Sequence, residues 1–148
     1  MAIPSLTAAG FLPPGAPDAS LEEVGIAFGS FQERERRIIL FRRLSEYIAE
    51  LRSLGHALEV LLDGSFVSAK ASPGDIDLIV VYPEAFNFGA TLTPAEYNTI
   101  DRRRVRRMYG FDVVPVTAGS TDLEEWLAFF SRDLRAGTLN KGLLRVKL

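Results

Sequence analysis

Two rhythms of apolar and polar positions run through this chain. Phe41, Leu44, Ile48 and Leu51 recur at helical intervals, with Glu33, Arg36, Arg37, Arg43 and Glu50 forming a wet face. Ser30 and Glu33 have the spacing of a capping box and Gly55 is a stop, so a helix is predicted from Ser30 to about Leu54. A shorter helix is predicted over Leu21–Phe28 behind a Ser20 cap. The rhythm then changes. Leu58–Leu62 reads as a short buried strand ending at the tight turn Asp63-Gly64-Ser65, and Asp75–Tyr82 (DIDLIVVY) is the clearest strand in the chain. Between them, Phe66–Gly74 is polar and small and closes on Pro73-Gly74.

After Pro83 and a loop over Phe86–Leu92, Thr93-Pro94-Ala95-Glu96 supplies a cap, a first-position proline and a reciprocal glutamate. One helix is predicted from there through the arginine-rich stretch Arg102–Arg107 to Gly110. Phe111–Val116 is a third strand, and Thr121 and Glu124 open a last helix containing Trp126, Phe129 and Phe130. Gly142–Leu148 is a closing strand. Helices interleaved with short strands predict an α/β (α+β) domain, a small mixed sheet with helices packed on it. Residues 1–20, rich in Pro, Gly and Ala, form an extended lead-in to a single domain over 21–148.

Composition narrows the chemistry. At 148 residues, with 47% hydrophobic and 24% charged side chains, the chain matches an ordinary globular domain. Its 17 basic and 19 acidic residues leave the field near balance, so net charge does not indicate nucleic acid as a partner, though that stays open. With no cysteine, disulfides, thiolate metal sites and cysteine nucleophiles are excluded, and the single His56 excludes a multi-histidine metal site. Met1–Gly15 is neither basic nor apolar enough for a secretory signal, and no apolar run reaches the ~20 residues of a membrane span. A soluble, cytoplasmic protein with no membrane partner is expected.

Candidate chemistry sits at the two strand ends. Residues two apart in a strand share a face, so Asp75 and Asp77 are expected to project together from an otherwise apolar strand. Two carboxylates on one face repel each other and lose hydration unless a cation compensates. Mg²⁺ is the natural one, since it prefers hard oxygen ligands and shares them with substrate phosphates. Gly64 lets the backbone approach a phosphate closely, and Ser65 can donate to its oxygens. Asp112, between Phe111 and Val113, offers a third carboxylate if its strand lies beside that of Asp75. Three carboxylates suffice for two metal ions, with Asp112 also accepting the proton of an attacking hydroxyl.

Gly-Ser, a spacer, Asp-Ile-Asp and a later Phe-Asp-Val strand together resemble the DNA polymerase beta-like nucleotidyltransferase superfamily, especially its minimal bacterial members. The likeness covers Leu58–Tyr82 closely and Phe111–Val116 more loosely. The flanks, from Phe11-Leu12-Pro13-Pro14-Gly15 to Lys141-Gly142, look like a bacterial family of uncharacterised nucleotidyltransferase-like proteins. The resemblance implies NTP, with ATP expected, and Mg²⁺ as ligands, and transfer of a nucleoside monophosphate to a hydroxyl on protein, RNA or a small molecule. By the motif match, phosphate contacts fall on Gly64 and Ser65, and metal ligands on Asp75, Asp77 and Asp112. Minimal members carry Arg-Gly soon after Gly-Ser. This chain has Phe66-Val67-Ser68-Ala69-Lys70, so Lys70 is the residue able to supply that charge. Pro115 argues for an edge position or a strand end, not a central place, in the Asp112 strand.

Several residues are expected to be structural. The arginine run reads as a solvated helix face over a buried side of Ile100, Val105 and Met108, although Arg103, Arg106 or Arg107 could reach a triphosphate. Lys141 could contact a phosphate but reads better as a surface lysine, and His56 reads as a helix-terminal or surface residue. Asp63 reads as a turn residue rather than a fourth ligand, and Trp126, Phe129 and Phe130 as a core stripe rather than a base-stacking platform. The alternative to an enzyme is a nucleotidyltransferase-like module that binds a protein partner, as half of a toxin–antitoxin pair.

Overall fold

Alternation along four short strands decides how the layers form. In β2 (Asp77–Tyr82), Leu78, Val80 and Tyr82 face one apolar cluster, while Ile79 and Val81 face another. The same alternation holds in β1 (Glu59–Asp63), where Val60 and Leu62 oppose Leu61, and in β3 (Asp112–Thr117), where Val113 opposes Val114 and Val116. β4 (Leu144–Lys147) completes a sheet of order β3-β2-β1-β4. β1 runs antiparallel to β2 and β4, whereas β2 and β3 are parallel, so the sheet is mixed as expected. Pro115 sits in edge strand β3, where its missing N–H removes no central ladder bond. The computed structural model describes residues 3–29, 34–70, 73–132 and 141–148. The expected Ser30–Glu33 cap and Asn140 lie outside these.

Among the described residues, four helices cover one face and one covers the other. α1 (Leu21–Phe28) starts at the Ser20–Glu23 capping box. α2 (Arg34–Leu54) buries Leu40, Leu44, Tyr47, Ile48 and Leu51 in the larger cluster and ends before Gly55. α3 (Pro94–Ile100) begins with the anticipated Thr93–Glu96 capping box. The single helix expected to continue through the arginines is instead broken at Asp101, whose backbone is extended. The Asp101 side chain accepts from the Arg103 N–H and starts α4 (Arg102–Tyr109) afresh. The buried side of α4 is Val105 and Tyr109, not Met108, which is 52% exposed. Tyr109 anchors the helix by donating to Glu50, which also takes a two-pronged bond from Arg104.

Two other expectations need correction. α5 (Thr121–Phe130) is capped by Ser120 rather than opened by Thr121, because the Ser120 hydroxyl accepts from the Leu123 N–H. None of its residues is fully buried; Trp126 and Phe130 only lean on the smaller cluster and Phe129 is 55% exposed, so the three do not form a core stripe. Arg37 is not on a wet face. Its guanidinium is fully buried and donates to the carbonyls of Phe28, Phe66, Ser68 and Lys70. Helical periodicity alone cannot distinguish a solvated arginine from one that a folded loop has wrapped.

The lead-in is built into the fold. Leu12 and Ala19 are buried, Phe11 pairs with Ser68, and Asp18 pairs with Arg145. Gly142 donates to the Leu12 carbonyl, and a Cβ there would stand 2.0 Å from the Pro13 oxygen, so only glycine permits this contact. No described helix is long and apolar enough to cross a membrane.

Candidate functional site

The strand registers align three aspartates. Asp63 is the partner of Asp77 across β1 and β2, and Asp77 is the partner of Asp112 across β2 and β3. Register partners point to the same side of a sheet. The row therefore lies on the face of Ile79, Val81 and Val114, which α5 covers beyond it. Asp75 lies just before β2 and joins the row from the turn, not from the strand face on which it was expected. The sequence proposal of Asp75, Asp77 and Asp112 thus comes together in space. It gains a fourth member in Asp63, which ends β1 as a buried strand residue instead of standing in the turn.

Three of the four carboxylates already have partners. Asp63 meets the Lys141 ammonium at 3.1 Å, Asp112 pairs with Arg106, and Asp75 Oδ1 accepts from both the N–H and the hydroxyl of Ser65 at 3.0 Å. Lys141 is therefore not a plain surface lysine; its side chain is 18% exposed and lies 5.9 Å from the Phe11 ring centre. Asp77 has no hydrogen-bond or ion-pair partner among the described residues. Its pKa is pushed up to about 6, first by burial and then by the charges of Asp75, Asp63 and Asp112, with Lys141 opposing. Burial also raises Asp63, against the pull of Lys141. The middle of the row is short of positive charge.

The Gly-Ser corner is shaped by close backbone approach. Gly64 adopts φ +91°, and a Cβ there would stand 3.0 Å from the Asp77 nitrogen and 3.1 Å from Asp75 Oδ1. Ser65 Oγ accepts from the Gly74 N–H at 3.0 Å while it donates to Asp75, which stitches the two ends of the spacer together. Two consecutive arginines of α2 hold that spacer from behind. Arg36 donates to Pro73 and Gly74, and Arg37 to Phe66, Ser68 and Lys70. Each of these bonds uses a cation on a carbonyl, and such charge-assisted bonds contribute roughly 1.5–3 kcal/mol.

In front of the corner opens a cleft of about 570 Å³, lined by Gly10, Phe11, Gly64, Ser65, Lys70, Asp75, Asp77 and Lys141 among others. Lys70 is thus brought to the same cleft as the Gly-Ser turn, whereas Asp112 does not line it and stands one strand away, as the register partner of Asp77. The donor set suits a divalent cation in kind, being hard carboxylate oxygens around an uncompensated Asp77. As the side chains stand, no three described His, Asp or Glu residues enclose a metal position, because Asp63, Asp75 and Asp112 each turn to another partner.

Sequence reasoning set Asp63 and Lys141 aside as structural, named Arg106 only as one of three arginines able to reach a triphosphate, and missed the Arg36–Arg37 clamp. Asp63 had a signal, since it is the polar end of an apolar run immediately before Gly64. The places of Lys141, Arg106 and the clamp had none, because only strand order and helix docking bring them near.

The chain belongs to the family described as "Family of unknown function (DUF6932)", which matches residues 4–147. No curated protein and no solved structure matches it.

Proposed function

We propose that this chain is a Mg²⁺-dependent nucleotidyltransferase that moves a nucleoside monophosphate from an NTP, with ATP expected, to a hydroxyl acceptor. One observation carries the reading: the in-register row Asp63–Asp77–Asp112 stands beside the Gly64–Ser65 turn, and its middle member, Asp77, lines a cleft large enough for a nucleotide. The sequence resemblance to polymerase beta-like nucleotidyltransferases points the same way and supplies the reaction class.

The chain's own groups divide the work. Asp75, Asp77 and Asp112 would hold Mg²⁺, which when bound neutralises the triphosphate and the carboxylates together. Each donor that restrains a carboxylate in the free chain is one that a triphosphate can use. Ser65 offers an N–H and a hydroxyl now taken by Asp75, and Arg106 and Lys141 offer cations now taken by Asp112 and Asp63. Nucleotide entry would exchange these pairs, carboxylates turning to metal and donors to phosphate. The acceptor oxygen then bonds to the α-phosphorus, the α–β anhydride bond breaks, pyrophosphate leaves, and the hydroxyl proton passes to Asp112 beside Asp77.

Incubation with α-labelled NTPs, Mg²⁺ and candidate acceptors tests this. The acceptor should become labelled, and Asp77→Ala should abolish the labelling. Absence of label across protein, RNA and small-molecule acceptors, with no Mg²⁺-dependent NTP binding, would sink the proposal.

A second reading, a nucleotidyltransferase-like module that binds a protein partner without catalysis, draws on the same internal pairing: three of the four carboxylates are already satisfied. A partner that co-purifies equally well with Asp77→Ala favours it.

A further inference from the structure

A second cleft lies on the α5 side of the acidic row. It measures about 220 Å³ and is lined by Asp63, Asp77, Phe129, Phe130, Arg132 and Lys141. Asp77 and Lys141 also line the larger cleft, so the two meet at the middle of the row. Nucleotidyl transfer is an in-line displacement, with the attacking and leaving oxygens on opposite sides of the phosphorus. If the Gly64–Ser65 side holds the departing phosphates, the acceptor approaches from the side of Phe129.

The walls say what kind of acceptor fits. Phe129 is 55% exposed, and its neighbours Trp126 and Phe130 meet its ring in tilted, edge-type contacts at 5.7 and 5.5 Å, so part of the ring is left for a ligand. The volume lies below the roughly 300–1,000 Å³ of pockets for drug-sized ligands, which suits one ring system rather than a whole nucleotide. Beside the rings, the Asp63 carboxylate can accept from an exocyclic amine. Arg132 is exposed at the rim, where a backbone phosphate would lie, and no described carboxylate pairs with it.

We propose that this cleft is the acceptor subsite and that it takes an amino-bearing nucleoside, stacked on Phe129 with its ribose hydroxyl toward Asp77. The proposal rests on the nucleotidyltransferase reading above. The bond changes are those already given: the ribose oxygen joins the α-phosphorus, pyrophosphate leaves through the larger cleft, and the proton goes to Asp112. A ring, a hydroxyl and an exocyclic amine each meet a complementary group here. A tyrosine side chain supplies only the first two.

The full chain, with Mg²⁺ and inorganic tripolyphosphate filling the larger cleft, is titrated with adenosine. Trp126 is the chain's one tryptophan and stacks on Phe130 at 5.5 Å, so its fluorescence reports directly on this wall. Adenosine should change the signal saturably without displacing tripolyphosphate. Phe129→Leu, which keeps an apolar side chain at an exposed position, should weaken adenosine about tenfold or more, the size of one lost base–ring stack. Equal affinity in Phe129→Leu, or mutual exclusion of adenosine and tripolyphosphate, overturns the proposal. So does Phe129-dependent binding of N-acetyltyrosinamide that is tighter than that of adenosine, which would indicate a polypeptide acceptor. The dinucleotide ApA separates the two sources of a nucleoside: tighter binding that is lost in Arg132→Gln identifies a strand end, and binding equal to adenosine a free nucleoside. Tripolyphosphate binding, followed by calorimetry, keeps the failures apart. Its absence alongside Phe129-dependent adenosine binding removes the nucleotidyltransferase reading, whereas its presence without adenosine binding removes the subsite.

Discussion

Replacing Asp77 by asparagine should stabilise the metal-free protein at neutral pH while removing its response to Mg²⁺. Asp77 is half-buried in the middle of the acidic row and its pKa is pushed from 3.8 to about 6 by burial and by Asp75, Asp63 and Asp112. A carboxylate whose pKa rises on folding adds no cost below its unfolded pKa. The cost grows as pH climbs through about 4 to 6 and is complete above that window. At face value the shift corresponds to about 3 kcal/mol, and partial access of water reduces it to about 1–2 kcal/mol. Asparagine keeps the shape and removes the charge. Urea denaturation at about pH 8 should therefore show the variant more stable by about 1–2 kcal/mol, with the difference vanishing near pH 4. Added Mg²⁺ should stabilise the wild type and leave the variant unmoved, narrowing or reversing the order. A variant no more stable at pH 8, or a gap independent of pH, would refute the claim that the row is charge-frustrated in the free chain.

Three further outcomes follow from the same contacts. Arg37→Met should destabilise the fold by about 3–5 kcal/mol in urea titrations, since it leaves buried carbonyls at Phe28, Phe66, Ser68 and Lys70 without their donor. Gly142→Ala should cost about 1–3 kcal/mol and expose the lead-in to limited proteolysis, because the new methyl group collides with the Pro13 carbonyl. Arg106→Gln should tighten Mg²⁺ binding up to about fivefold by calorimetry, as Asp112 no longer has to leave an exposed ion pair; weaker binding would mean that Asp112 takes no part in holding the metal.

What the sequence determined by itself was local. Branched aliphatics in DIDLIVVY and the spaced apolar residues of α2 marked strand and helix because side-chain period follows backbone geometry. Ser20 and Thr93–Glu96 marked helix starts because caps satisfy N–H groups within one turn. Gly64, Ser65, Asp75 and Asp77 were legible as one candidate cluster for the same reason: they lie within one strand–turn–strand unit. Asp101 shows where even local reading fell short, since one residue serves as the end of α3 and the cap of α4.

The tertiary structure decided which distant groups share a space. Asp63, Asp77 and Asp112 form a row only because β1 and β3 flank β2 in that register. Arg106 reaches Asp112 only because α4 docks beside β3. Arg37 is buried because a loop from elsewhere in the chain folds over it, and Phe129 meets Asp63 and Asp77 in one cleft because the last turn of α5 comes to lie at the acidic end of the sheet. A one-dimensional pattern records the period of each element. The docking that sets its neighbours, and with them every charge pairing in this site, comes from non-local packing.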